Sequence, residues 1–67
     1  MMINVNGKDR QPGDYALTSI MAADGIDPQA RGIAVALNGT VLPRARWADT
    51  VLSPGDKVEI VKVLQGG

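Results

Sequence analysis

The alternation of apolar and polar positions predicts three β-strands, one near each end of the chain and one in the middle. Residues 2–6, 32–38 and 57–64 each alternate with a period of two, which is the pattern of a strand that buries one face. The side chains expected to face a common core are Ile3, Val5, Ile33, Val35, Leu37, Val58 and Ile60. The third strand is the longest, and it places Val61 and Val63 on its opposite face.

Two Asn-Gly pairs follow the first two strands and predict β-hairpins. Asn6-Gly7 and Asn38-Gly39 suit a type I′ turn, because both residue types tolerate a positive φ. The returning segments are residues 8–11, which are wholly polar, and residues 40–42, which are followed by Pro43. We expect both at the edges of a sheet. Residues 53–56, Ser-Pro-Gly-Asp, predict a type II turn before the last strand.

Residues 15–24 predict one short helix. Leu17, Ile20 and Met21 fall on a single stripe at helical spacing. Asp14 is placed to accept hydrogen bonds from the free N–H groups at the start of this helix. Gly25 is placed to end it in a left-handed conformation.

The order of these elements predicts an α+β domain with one sheet packed on one helix. The first and last long strands are the most apolar, so we expect them side by side in the centre of the sheet, with each hairpin partner at an edge. Residues 44–50 predict an irregular or single-turn stretch that carries Trp47. Packing against the core is favoured for Trp47 over a role as a binding anchor.

The composition removes most kinds of chemistry that an enzyme of this size would use. The 67 residues include neither Cys nor His, so we expect no catalytic residue and no metal site. The net charge is zero, which argues against nucleic acid as the main partner. No glycine-rich phosphate loop is present, and no apolar stretch approaches the ~20 residues of a membrane span. No signal peptide is predicted, and a cytoplasmic protein is the expectation.

The remaining candidate for chemistry is the C-terminal Gly66-Gly67. With glycine at ~7% of residues, chance produces such a pair in about one chain in two hundred. Neither residue has a Cβ, so the pair can lie extended and thread a narrow channel. The terminal carboxylate of Gly67 is a poor electrophile at neutral pH, and it becomes an acyl donor only after another protein activates it, typically with ATP.

At full length the chain resembles the ThiS-type sulfur carriers of thiamine biosynthesis, which are small β-grasp (ubiquitin-like) proteins. The residues that carry the resemblance lie in three blocks: 36–47, with Leu-Asn-Gly followed by Pro-Arg-x-x-Trp, 52–60, with Leu-x-x-Gly-Asp-x-Val-x-Ile, and the final Gly66-Gly67. The resemblance implies a mixed sheet of four or five strands on one main helix, with the first and last strands adjacent and parallel. It also implies one domain over residues 1–64 and a flexible tail over residues 65–67. One departure from the family pattern is Ala16, which stands where a capping Thr is common.

The resemblance also implies a function for the tail. An E1-like adenylyltransferase of the ThiF type would adenylate Gly67, with ATP and Mg²⁺ held by that partner and no cofactor bound by this chain. A sulfur donor, such as a cysteine desulfurase, would then supply the sulfur of a thiocarboxylate, and a thiazole synthase of the ThiG type would consume it. Gly67 is then a modified residue, and Gly66 is the residue that threads behind it.

Several alternatives stay open at the level of sequence. A carrier for another pathway, such as the small subunit of a molybdopterin synthase, would end in the same glycine pair. A ubiquitin-like modifier would form isopeptide bonds with its targets, and in a plain binding module the tail would be incidental. For Val61 and Val63 we favour a partner-docking patch, and ordinary exposed apolar residues on a strand are the alternative.

Overall fold

The computed structural model describes residues 2–62, and within them it shows one five-stranded sheet packed on one α-helix. The elements in chain order are β1 (Ile3–Val5), β2 (Lys8–Arg10), α1 (Leu17–Ala23), β3 (Ile33–Leu37), β4 (Thr40–Val41), a 3-10 helix (Arg44–Asp49) and β5 (Lys57–Lys62). The sheet order is β2-β1-β5-β3-β4. Strands β1 and β5 are adjacent and parallel, and the other neighbours are antiparallel. This is the β-grasp arrangement expected from the sequence.

Both predicted hairpins form at the Asn-Gly pairs. Asn6 and Gly7 have φ values of 52° and 86°, and Asn38 and Gly39 have 50° and 84°. All four lie in the region that a type I′ turn requires. The hairpin partners β2 and β4 occupy the two edges of the sheet, as predicted. The short, polar β2 leaves little apolar edge open for pairing with another chain.

The core lies between α1 and the inner face of the sheet. Its buried side chains are Ile3, Val5, Leu17, Ile20, Met21, Val35, Trp47, Leu52, Val58 and Ile60. Every strand residue in that set is one that the alternation predicts to face inward, and the three helix residues are those of the predicted stripe. The side chains selected by the period-two pattern of the strands and those selected by the 3.6-residue period of the helix therefore pack together in one apolar layer.

The start of the predicted helix is wrong by two residues. Tyr15 lies outside the helix and Ala16 is extended, because this segment pairs with residues 50–52 through an Ala16–Val51 bridge and a hydrogen bond from the Leu52 N–H to the Tyr15 carbonyl. The Leu17 N–H donates to the Thr50 carbonyl, so this non-local pairing supplies an acceptor for one of the N–H groups that the first turn of α1 leaves without an intrahelical partner. The predicted end is also one residue too long, since Asp24 is the C-cap.

The caps of α1 differ from the prediction at one end and agree with it at the other. Ala16 is the N-cap residue and makes no side-chain capping bond, and Asp14 instead accepts from the Ala16 N–H and the Ser19 hydroxyl. At the other end Gly25 has a φ of +74° and donates to the Ala22 carbonyl, while the N–H of Ile26 reaches the Met21 carbonyl. These two bonds are those of a Schellman motif, so the C-terminal prediction is confirmed.

A tight turn over residues 53–56 leads into β5. Residues 53–56 form the predicted turn, with the Asp56 N–H bonded to the Ser53 carbonyl and Gly55 at a φ of +90°. No helix within residues 2–62 is long and apolar enough to cross a membrane. Val63, Gly66 and Gly67 lie outside the described residues, as do the predicted boundary at residue 64 and the tail over residues 65–67.

Candidate functional site

Strand β5 is the element that leads toward the predicted reactive terminus, and it lies between β1 and β3. On one side Asn4 and Val5 pair in parallel with Lys57 and Val58. On the other side β3 pairs in antiparallel register along its whole length, from Leu37 opposite Val58 to Ile33 opposite Lys62. A strand paired on both sides is held more firmly than an edge strand, so β5 is a rigid element of the sheet.

The Asn6 side chain extends the hold on β5 beyond the last residue of β1. Its Nδ2 donates to the Ile60 carbonyl at 3.1 Å, and its Oδ1 accepts from the Ile60 N–H at 2.7 Å. One carboxamide therefore satisfies both main-chain groups of a single β5 residue. Sequence reasoning missed this contact, because the preference of Asn for a type I′ turn already accounts for Asn6.

Asn38 makes a related contact at the opposite end of β5. Its Oδ1 accepts from the Lys57 N–H at 2.9 Å, and its Nδ2 donates to the Asp56 carboxylate at 3.1 Å. The N–H of Asn38 also donates to the Lys57 carbonyl at 2.7 Å. Thus the first residue of each hairpin turn ties its turn to β5, one near the start of the strand and one near its end.

The face of the sheet opposite α1 carries a small apolar area, here called the open-face patch and formed by Ala34, Ala36, Val41 and Val61. Val61 lies opposite Ala34, and Val41 opposite Ala36. Val61 is 51% exposed and Val41 is 73% exposed. The prediction that Val61 faces away from the core is confirmed, and Val41 is a member of the patch that sequence reasoning did not identify. The sequence does indicate this position, because a two-residue Asn-Gly turn places Val41 opposite Ala36 of β3 and therefore on the same face of the sheet.

The Pro-Arg-x-x-Trp block is a structural unit. Trp47 is only 3% exposed, and its Nε1 donates to the Leu42 carbonyl at 3.0 Å, so the packing role predicted for Trp47 is confirmed. The guanidinium of Arg44 stacks on the Trp47 ring at 4.5 Å and donates to the carbonyls of Pro28 and Ala30, each at 2.6 Å. Arg44 thereby fastens the segment that precedes β3 onto the 3-10 helix.

A surface cleft of about 410 Å³ lies over this unit and is lined by Thr18, Pro28, Gln29, Arg44, Trp47 and Ala48. It offers little for a reaction, since two N–H groups of its charged side chain are already bonded to carbonyls and its ring is covered by that same side chain. Among the residues described, no group of three or more acidic side chains is arranged to hold a metal ion.

The acidic side chains around α1 serve the fold. Asp24 forms an ion pair with Arg10 at 2.6 Å, which ties β2 to the end of the helix. Asp27 accepts from the Gln29 N–H in the loop after the helix. The hydrogen bonds from the Ala16 N–H and the Ser19 hydroxyl lower the pKa of Asp14 below its ordinary value. These carboxylates lie in separate local bonding arrangements, so no acid–base pair emerges from them.

Comparison with known proteins agrees with this fold and sequence pattern. The model of the ThiS family matches residues 3–67. The Escherichia coli (strain K12) sulfur carrier protein ThiS is 33% identical over 42 residues, which are 63% of this chain and 64% of that protein. The matched part of that curated relative is thus a little under two thirds of its length.

Solved structures extend the comparison to the whole chain. The crystal structure of the thiamine biosynthesis protein ThiS from Geobacter metallireducens is 33% identical and superimposes with a TM-score of 0.79, with 100% of both chains covered. A solution structure of a thiamine biosynthesis protein from the same organism is 31% identical, with a TM-score of 0.73, and covers 100% of this chain and 88% of its own. With the family model matched from the first strand to the final glycine, the chain belongs to the ThiS family.

Proposed function

We propose that this chain is a sulfur carrier of thiamine biosynthesis, with the carboxylate of Gly67 as the group that is activated and loaded. The observation that carries the proposal is the family match over residues 3–67, which includes the Gly66-Gly67 pair. The curated relative is named a sulfur carrier, and the two solved structures are named thiamine biosynthesis proteins. These names favour the thiamine pathway over molybdopterin synthesis, which uses the same kind of tail.

In the proposed reaction the chain is a co-substrate and its partners are the catalysts. A carboxylate oxygen of Gly67 attacks the α-phosphorus of ATP in an E1-like enzyme of the ThiF type, and pyrophosphate leaves. A persulfide supplied by an enzyme such as a cysteine desulfurase then attacks the carbonyl carbon of Gly67 and displaces AMP, which leaves an acyl disulfide. A thiol cleaves the S–S bond of that disulfide, so the thiol is oxidised and the carrier is released as a thiocarboxylate. A thiazole synthase of the ThiG type takes the sulfur, and the carrier returns as the carboxylate. ATP and Mg²⁺ belong to the activating enzyme.

The described residues support this role by presenting a fixed strand and an apolar contact area. Strand β5 is held on both sides up to Ile60, which lies seven residues before Gly67 in the sequence. The open-face patch includes Val61 of that strand. We assign the patch to docking of the activating enzyme, and the alternation of the sequence predicts Val63 as a further contact residue. Gly66, which has no Cβ, suits passage through a narrow channel in the partner.

The proposal is tested by reconstitution with the cognate activating enzyme. We expect release of pyrophosphate that depends on this chain, and no release with a variant that lacks Gly67. A variant that replaces Val61 with Asp is expected to raise KM for the carrier while leaving its fold intact, because Val61 is exposed. Pyrophosphate release that is unchanged without Gly67 would show that the terminal carboxylate is not the activated group.

The pathway is tested separately in cells. We expect the chain to restore growth of a thiamine auxotroph that lacks its own carrier, and to leave a molybdenum-cofactor mutant unrescued. The opposite pattern would assign the carrier to molybdopterin synthesis. Covalent adducts between this chain and other proteins in a lysate would instead support a ubiquitin-like modifier.

A further inference from the structure

The contact between the Asn6 side chain and Ile60 continues the hydrogen-bond ladder between β1 and β5 beyond the point where the main chain of β1 ends. Strand β1 bonds to β5 through the Asn4 N–H and the Asp56 carbonyl at 2.9 Å, and through the Asn6 N–H and the Val58 carbonyl at 3.0 Å. In a parallel ladder the next two bonds would join the Ile60 N–H to the main-chain carbonyl of Asn6, and the Ile60 carbonyl to the N–H of residue 8.

The main chain does not make those bonds, because it turns away at Asn6-Gly7 to form the hairpin with β2 on the other side of β1. The Asn6 carboxamide takes the place of the missing peptide group. Its Oδ1 receives the Ile60 N–H and its Nδ2 reaches the Ile60 carbonyl. An amide side chain suits this role because, like a peptide group, it offers one acceptor and N–H donors in one plane.

Among the residues that the structure describes, Asn6 therefore makes the last contact with β5 on the β1 side. On the β3 side, pairing continues to Lys62. We propose that Asn6 is a positioning residue, which fixes the end of β5 so that the Gly67 carboxylate is presented to the activating enzyme in a restricted set of directions. The proposal rests on the carrier function proposed above, and it adds a residue distant in sequence from the tail.

The physical reason is conformational entropy. When the activating enzyme takes up the tail, every backbone dihedral that was free must be fixed, and this cost weakens binding. A strand end held on both sides has already been fixed during folding. Loss of the Asn6 contact leaves Ile60 held on the β3 side only. The conformational entropy of this strand end is then lost when the enzyme binds and not when the chain folds, so binding is weaker. The expected effect is on KM, with little change in kcat.

Asn38 provides a matched comparison within the same molecule. It has the same position in the same type of turn, with a φ of 50° against 52° for Asn6. Its carboxamide also contacts β5, but at Lys57, three residues earlier than Ile60. Glycine tolerates the positive φ at both positions, so Asn6→Gly and Asn38→Gly each keep the turn and remove two side-chain hydrogen bonds.

The test compares these two variants in the full chain. Thermal unfolding, amide hydrogen exchange and the kinetics of pyrophosphate release by the cognate activating enzyme are measured for each. We expect both variants to lose a similar amount of stability. Asn6→Gly is expected to speed exchange at the Ile60 amide and to raise KM for the carrier by about tenfold, which is the effect of about 1.4 kcal/mol. Asn38→Gly is expected to leave KM and kcat unchanged.

A third variant guards against failure of Asn6→Gly to fold. Asn6→Asp keeps the turn and the acceptor for the Ile60 N–H, but it sets a carboxylate oxygen against the Ile60 carbonyl. Like Asn6→Gly, Asn6→Asp is expected to raise KM for the carrier. Equal KM changes at both asparagines, or none at Asn6, would overturn the positioning role while leaving the carrier function intact. A wild-type chain that the cognate enzyme does not activate would overturn the carrier function itself, and the role of Asn6 with it.

Discussion

Removal of the Arg44 side chain should destabilise the fold although that residue is exposed. The guanidinium donates to two carbonyls that precede β3 and lies over the Trp47 ring. Arg44→Ala removes all three contacts and leaves the two carbonyls to water. The loop of residues 27–32 then loses these two hydrogen bonds to the 3-10 helix.

The magnitude can be worked out from those contacts. At a solvated position each hydrogen bond contributes about 1 kcal/mol, and a cation over an aromatic ring about 0.5–1 kcal/mol. Arg44→Ala should therefore cost about 2–3 kcal/mol, in a domain whose whole stability is expected at about 3–10 kcal/mol for its length. Arg44→Lys keeps a cation over the ring but cannot bridge two carbonyls with one planar fork, so about half of that loss is expected.

The assay is urea unfolding followed by the fluorescence of Trp47, which is the single Trp of the chain. Arg46→Ala is the matched control, because it removes the same residue type from the same 3-10 helix. Within residues 2–62 the Arg46 side chain has no hydrogen-bond partner, although its main-chain carbonyl accepts from the Thr50 hydroxyl. We expect the control to change the free energy of unfolding by less than about 0.5 kcal/mol. Equal losses for Arg44→Ala and Arg46→Ala would refute the reasoning.

Three further predictions concern α1. Met21→Ala, at a fully buried position, should cost about 2–5 kcal/mol and leave much of the chain unfolded by circular dichroism at 25 °C. Gly25→Ala should cost about 1–2 kcal/mol in urea unfolding and Gly13→Ala almost nothing, because an added Cβ meets no atom at either site and only Gly25 has a positive φ. The lowered pKa of Asp14 gives stability that is present above the ordinary pKa of 3.8 and is lost as the pH falls through the lower folded value. The difference in melting temperature between the wild type and Asp14→Asn should therefore shrink as the pH falls below 3.8. A difference that stays constant from pH 7 to pH 2 would contradict this stabilising role of the Asp14 carboxylate.

The sheet was predictable from the sequence because its determinants are local. Alternation identifies the inward side chains of β1, β3 and β5, and each Asn-Gly pair specifies a turn whose handedness matches the twist of its strands. The polar character of residues 8–11 places β2 at an edge. The resemblance then supplies the one feature that local patterns lack, namely that β1 and β5 run parallel.

The contacts that refine the fold were not predictable, since their partners are distant in sequence. Asn6 and Ile60 are 54 residues apart, and nothing near Asn6 indicates a second role beyond the turn. Arg44 is a charged residue at an exposed position, and nothing near it in the sequence indicates its two carbonyl partners, Pro28 and Ala30. The start of α1 was misplaced for the same reason, because pairing with residues 50–52 overrides the local preference of Ala16.

The central claim is that Gly67 is chemically modified while the rest of the chain supplies recognition. The most direct test is the intact mass of the chain after incubation with ATP, Mg²⁺, the cognate activating enzyme and a sulfur donor. The account predicts a gain in mass equal to the replacement of one oxygen by sulfur, and no gain in a chain that lacks Gly67. An unchanged mass with an enzyme that is active on another carrier would contradict the account, as would the same gain in the shortened chain.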